Sequence, residues 1–414
     1  MHSGYNVLYD MLKLRLLSLL RYGFLTSLTL LAMLWSVSLY IGDTYVNRIV
    51  MWCVALFYFA EIVLSGRLKH WSWSNGKWTF VAFIAFFAIM PTVSLIAGGD
   101  MTSRIFVRYG LEQRYSFLMF GLMGILGLPE DINLKWVAYG LVVFPALMVI
   151  RILAGMNMQT DFASSFNDAR MHFFNDHMKA NAAFNLALVA YALIFVNGKL
   201  KEQLIFGILT IPSFLALCIT DGRIGFITML LTLMTFSITS VWKWRRRVLY
   251  WLIPVMILCI AGLVGSHPRM AWLQGEPRLK VWNVAFNMME EKPLGWGFAE
   301  GRQTFVDRCF ETIDCWFVPD EIRNTDKKYM FHPHNAFIEE QLSDGPIGVL
   351  LFLACLVLPL FLFRNREYLF AVELIYIVQY CFEVFYTVPP FCLALLLLVI
   401  PGIRNQNPYV SNDV

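Results

Sequence analysis

Charge is scarce in this 414-residue chain: Asp, Glu, Lys and Arg together make up only 15% of it, against roughly a quarter in a soluble globular protein. A net charge of +4 leaves no electrostatic footprint for nucleic acid, and none is expected as a partner. The sequence has no fixed-period repeat and no low-complexity tract. It also lacks an Asp-x-Asp pair and a His-Glu-x-x-His, so the familiar metal-binding spacings drop out. A metal held by loop carboxylates stays open, but no cofactor is expected. The N-terminus opens polar and its first apolar run is already span-length, which argues against a cleavable signal peptide.

What is abundant is apolar surface. Hydrophobic residues make up 58% of the chain and the mean hydropathy is +0.59. Such a composition needs a solvent other than water. Roughly 20 helical residues cross a bilayer core, and backbone groups in lipid must satisfy each other, so the apolar runs read as helices. Spans are expected near 23–41, 48–65, 78–97, 115–128, 135–155, 181–197, 203–220, 224–241, 248–265, 346–363, 367–387 and 389–402. The expected fold class is therefore an all-α integral membrane protein of about 12 transmembrane helices, with a large, partly helical loop between the ninth and tenth. The corresponding division is 1–265 for helices one to nine, 266–345 for the loop, and 346–414 for helices ten to twelve and a tail.

Basic residues set the orientation. Lys13, Arg15, Arg21, Arg67, Lys69, Lys77, Lys199, Lys201, the run Lys243 to Arg247, Arg364 and Arg366 all fall on one side when both termini are cytoplasmic. The loop 266–345 then lies outside. Arginines nevertheless occur on the outer side: Arg104, Arg108 and Arg114 after span three, Arg170 before span six, Arg223 at the mouth of span eight, and Arg269, Arg278, Arg302, Arg308 and Arg323 in the loop. Arginine placed against the topological bias suggests an anion to bind, phosphate above all. The plainer alternative is that folded loops translocate whatever their charge. Six of the eight cysteines lie in apolar runs. Cys309 and Cys315 lie in the loop, where an oxidising compartment leaves a disulfide open.

Three segments carry chemistry. The densest runs from Tyr329 through His332, Pro333, His334 and Asn335 to Glu339, Glu340, Asp344, Gly345, Pro346 and Gly348, directly into span ten. Pro333 suits the first turn of a helix, which puts His334 in that turn beside exposed N–H groups. The positive end of a helix favours a neutral imidazole, able to accept a proton, and it attracts anions. Gly345 and Gly348 permit a close turn where loop meets membrane. A pair of interfacial histidines capping a helix is the plain alternative. The second segment is Asp221-Gly222-Arg223-Ile224-Gly225, whose arginine either binds or merely snorkels. The third, Glu276 to Gly297, puts Trp282, Phe286 and Met289 at helical spacing, an amphipathic helix able to lie along a membrane surface, with Arg278 at its start.

Taken in order, an arginine at a span mouth, an arginine opening an amphipathic helix, and His-Asn ahead of a span with Gly-x-x-Gly, this combination resembles the O-antigen ligase and polymerase superfamily. The resemblance covers mainly 215–365. It implies an inverting, metal-independent glycosyltransferase of the bacterial inner membrane that uses undecaprenyl-diphosphate-linked glycans, with His334, Arg223 and Arg278 as its essential residues. Gly222 departs from the family's small hydroxyl residue before the first arginine. The stretch Phe166 to His177 resembles the family's polar segment loosely, and on that likeness Arg170 helps hold substrate.

On this reading two guanidiniums stabilise the diphosphate as it leaves, and His334 takes the acceptor's proton as the new bond forms. Arg104, Arg108, Arg170, His332 and Asn335 are expected to bind or orient substrate. Glu383, an intramembrane carboxylate, joins them, with a buried structural partner as the alternative. Tyr386 and Trp316 are candidates to stack on sugars. The ligase reading names a lipid A-core acceptor; polymerase and protein O-oligosaccharyltransferase are the alternatives within the family. A transporter is the competing class, but related six-span halves are wanting.

Overall fold

A computed structural model of the chain describes residues 2–41, 45–73, 75, 77–98, 112–129, 136–137, 139–140, 277–313, 324, 331–362, 377 and 380–381. The stretches expected to form spans six to nine and twelve, and most of five and eleven, lie outside the described residues. So do Arg104, Arg108, Arg170, Arg223, Cys315, Trp316, Glu383 and Tyr386. Every element among the described residues is helical. Among the described residues, two helices carry apolar stretches long enough to cross a membrane, Val7–Leu34 and Ala336–Pro359. The chain divides into two compact units, one of residues 1–77, 119–222 and 389–414, the other of 78–118 and 223–388.

In the first unit, α1 (His2–Ile41) packs along α2 (Tyr45–Ser65). Helix α1 starts well ahead of the expected span at 23, because Lys13, Arg15 and Arg21 are good helix formers and do not interrupt it. Phe24, Leu28, Leu31 and Ala32 of α1, and Val50, Val54, Tyr58 and Ile62 of α2, are buried at helical spacing. The opposite faces expose Trp52, Leu56 and Val63, as suits helices apolar all round. Among these apolar groups sits Glu61, 0% exposed. Arg21 holds it at 3.1 Å and Arg67 at 2.5 Å, the pairing a buried carboxylate requires. Helix α5 (Glu112–Leu126), which belongs to this unit from residue 119 on, ends in Gly127 at φ +85, and the Gly127 carbonyl accepts from Tyr58 Oη at 2.7 Å and from Arg67 at 2.9 Å.

The second unit begins with α3 (Lys77–Ile84), which runs through a π-turn, Ala85–Ile89, into α4 (Met90–Gly98). A π-turn widens a helix locally, and Phe86 at that point stacks on Phe352 at 5.2 Å. Three further helices follow among the described residues: α6 (Pro277–Glu291), α7 (Phe298–Thr312) and α8 (Ala336–Leu362). Val281, Ala285 and Met288 of α6, Phe305, Val306 and Cys309 of α7, and Ile338 and Leu342 of α8 close a core around Phe331. Cys309 is a buried thiol within it. The buried stripe on α6 runs one position before the expected Trp282–Phe286–Met289. Trp282 and Met289 flank the core, and Phe286 faces outward.

Helix α8 is broken. Gly345 sits at φ 65, ψ −158, a backbone region open in practice only to glycine. The break frees the carbonyls that end the first half, and the 293–297 loop takes them: Trp296 N–H donates to Leu342 O at 2.7 Å and Gly297 N–H to Ser343 O at 2.9 Å. Pro346 follows, where a missing N–H costs nothing at the start of the second half. The loop backbone lies so close that a Cβ on Gly345 would fall 2.2 Å from Leu294 O.

Gly345→Ala is accordingly expected to lower the Tm in detergent by roughly 5 °C or more beyond the loss from Gly66→Ala. Gly66 shares a positive φ of +71 but has nothing within 4 Å of its would-be Cβ, so alanine there meets backbone strain alone. Equal losses, read by fluorescence-detected unfolding, would contradict the close docking of the loop on the break.

Candidate active site

The expected site segment lies where the chain turns into α8. Asn335, not a residue of the first turn, is the helix cap: its Oδ1 accepts from Phe337 N at 2.9 Å and Ile338 N at 3.1 Å, as N-capping asparagines do. This corrects the placement of Pro333 in the first turn. The helix starts at Ala336, and His334 precedes the cap. The physical reason is competition: an asparagine that closes two orphan N–H groups sets the boundary more firmly than a proline two residues earlier. Asn335 is also tied to Cys381, whose carbonyl accepts from its Nδ2 at 2.9 Å.

His334 has φ +52, the one positive value among the described non-glycine residues. A left-handed L-residue costs about 1–2 kcal/mol, and three contacts hold the backbone there. Its N–H donates to His332 Nδ1 at 3.2 Å. Asn335 fixes the following residue, and Trp282 Nε1 of α6 donates to Pro333 O at 2.8 Å. The two imidazoles lie with centroids 4.4 Å apart, and Phe331 meets His334 edge-on at 5.9 Å. Because His332 Nδ1 accepts, a neutral His332 carries its proton on Nε2. Both histidines are half-buried. A half-buried imidazole in an imposed conformation, beside a helix N-terminus, can accept a proton from a hydroxyl and stay close to anionic groups.

Arg278 stands one turn before Trp282 on α6, so the helix that anchors the histidine loop also carries the expected arginine. Two further arginines of this region, Arg302 and Arg308, form ion pairs with carboxylates. Arg302 pairs with Glu339, 4% exposed, in the first turn of α8, and Arg308 forks onto Glu291 at 2.6 and 2.7 Å. For these two the anion-binding expectation gives way to a structural role. Trp282 enters the site only through the structure. Its hydrogen bond has no sequence signal beyond its place one turn after Arg278.

Residues 208–353 match the family described as O-antigen ligase. That match supports membership of the O-antigen ligase and polymerase superfamily. No curated protein matches it. Members of this superfamily are bacterial membrane enzymes that act on lipid-linked glycans, and they include both ligases and polymerases. The matched segment takes in α6, α7, the histidine loop and the break in α8, together with Arg223.

Two expectations follow. Trp282→Phe keeps an aromatic ring but deletes the donor to Pro333, and glycan transfer is expected to fall about tenfold at unchanged membrane abundance; full activity would leave the anchor without a role. The second concerns pH. The hydrogen bond from Arg308 holds the Glu291 carboxyl below the usual glutamate range, against a smaller opposing effect of burial. A carboxyl depressed on folding stabilises above its unfolded pKa and loses that contribution as pH falls through the lower folded value. Protease cleavage of the α6–α7 region should therefore rise on acidification below about pH 4.5, and Glu291→Gln should flatten the rise.

Proposed function

We propose that this protein is an O-antigen ligase, which transfers an undecaprenyl-diphosphate-linked glycan to the lipid A-core oligosaccharide at the periplasmic face of the inner membrane. The observation that carries the reading is the histidine loop: His334 is held in a costly conformation at the N-terminus of α8 by Trp282, within a segment matching the O-antigen ligase family. A strained residue kept in place by several contacts is more readily explained by chemistry than by packing.

In the proposed reaction, an acceptor sugar hydroxyl attacks the anomeric carbon and the bond to the diphosphate oxygen breaks. His334 takes the hydroxyl proton as the new bond forms, since the hydroxyl is too weak an acid to lose it beforehand. Arg223 and Arg278 stabilise the negative charge that grows on the departing diphosphate, with guanidinium forks suited to phosphate oxygens. Direct displacement inverts the anomeric centre. His332 orients the His334 backbone through its Nδ1, Asn335 sets the helix cap, and Arg104, Arg108, Arg170 and Glu383 complete the substrate contacts. Twelve spans with both termini in the cytoplasm place this loop on the periplasmic side.

Deletion of the gene in its own host, with lipopolysaccharide examined on a silver-stained gel, tests the assignment. A ligase leaves complete core without attached O-antigen while polymerised glycan accumulates on the carrier lipid. A single repeat unit on core would mark a polymerase instead. Wild type should restore the ladder, and His334→Ala, Arg223→Ala and Arg278→Ala should not, at equal abundance. Full rescue by His334→Ala would remove the general base.

A further inference from the structure

Helix α6 has two working flanks, and the mechanism uses one. Its buried stripe, Val281–Ala285–Met288, faces the core. Trp282 and Arg278 lie on one side of that stripe. On the other side, Lys280, Asn283, Asn287 and Glu291 follow one another at helical spacing and line a cleft of about 470 Å³ closed by Arg308 and Thr312 of α7 and by Ile313 just beyond it. The volume falls within the range of small-ligand clefts.

The lining has a definite chemistry. Val284 and Ile313 give it apolar ground. The Glu291–Arg308 fork, with both oxygens and both terminal nitrogens engaged at 2.6 and 2.7 Å, fixes the spacing of the two helices. Arg308 is further seated over the Trp296 ring at 5.2 Å, so this wall is preorganised. Asn283 and Asn287 are exposed, and neither hydrogen-bonds to another described residue. Each carboxamide offers a donor pair and an acceptor in one plane, which suits the vicinal hydroxyls of a sugar ring, while apolar ground suits its C–H face. Lys280 adds a positive charge, and the carboxylate of Glu291 is already engaged by Arg308.

The geometry points to a second saccharide-binding site in this α6–α7 cleft, which holds sugar residues of a glycan chain on the flank of α6 away from the histidine loop. Asn283 and Asn287 read hydroxyls, Thr312 adds a hydroxyl contact, and Lys280 favours glycans that carry carboxylate or phosphate. The inference borrows from the proposed function only the identity of the polymer; binding in the cleft requires no transfer. Its consequence is that chain length is sensed by affinity: long glycans gain from the cleft, and a single repeat unit does not.

The test uses full-length protein in nanodiscs and, as probe, the polysaccharide released from the host's lipopolysaccharide by mild acid, titrated calorimetrically. Wild type is expected to bind saturably. The double variant Asn283→Ala/Asn287→Ala is expected to lose about tenfold or more in affinity, as two amide hydrogen bonds would, with Tm unchanged. Phe286→Ala, on the Trp282 side, should bind as wild type does. Equal affinity for wild type and double variant overturns the site, as does the absence of saturable binding to wild type. Failure here is distinct from failure of the transfer reading. If His334→Ala still supports transfer while the double variant loses the probe, the chemistry is wrong and the cleft stands. If His334→Ala abolishes transfer while the double variant binds normally, the cleft is wrong and the chemistry stands.

Discussion

A helix cannot be broken in an apolar setting unless something takes up the carbonyls it abandons. At Gly345 that something is the backbone of the 293–297 loop, and the second unit is organised around the exchange. The N–H groups of Trp296 and Gly297 complete the first half of α8 at Leu342 and Ser343. The second half begins afresh at Pro346, near the residue where the hydropathy pattern starts a span. Because the donors come from the link between α6 and α7, those helices are fastened to α8 by main-chain bonds as well as by their shared core. His334, just ahead of a first half nine residues long, stands about 13 Å from the break at 1.5 Å per residue.

The same economy appears at the other end of that half-helix. Asn335 closes its first N–H groups and reaches Cys381, so a single side chain sets both the helix start and its lateral contact. With the cap fixed on one side and Pro333 held by Trp282 on the other, His334 has little freedom left. Its left-handed backbone is the outcome of these constraints. A base that must meet a hydroxyl in the transition state gains from having its position settled before substrate arrives. Neighbouring ion pairs give two of the loop's arginines a structural role: Arg302 and Arg308 hold helices together through Glu339 and Glu291.

Much of this is legible in the sequence, and what is not has identifiable causes. The all-helical character follows from the apolar runs. Gly345-Pro346 announces the turn, because a glycine next to a proline has little other use at the edge of a span. The boundary of α8 was harder: Pro333 and Asn335 both signal a helix start, and only the hydrogen bonds show that the asparagine prevails. On α6, Val281, Trp282, Ala285, Phe286, Met288 and Met289 give two overlapping apolar patterns, and tertiary contacts choose which of them is buried. Glu61, a lone acid in an apolar run, demands a partner. Its partners, Arg21 and Arg67, stand 40 and 6 residues away, and no local pattern joins them. The hydrogen bond from Trp282 to Pro333 spans 51 residues, and no local pattern joins its two ends.

The central claim is that His334 and the arginines carry out a direct displacement at the anomeric carbon of a lipid-diphosphate-linked glycan. The most direct measurement is the anomeric configuration of the linkage the purified protein makes, read by NMR one-bond carbon–proton coupling and compared with that of the sugar on its diphosphate carrier. The account predicts inversion. Retention would contradict it, because a single in-line displacement at the anomeric carbon always inverts.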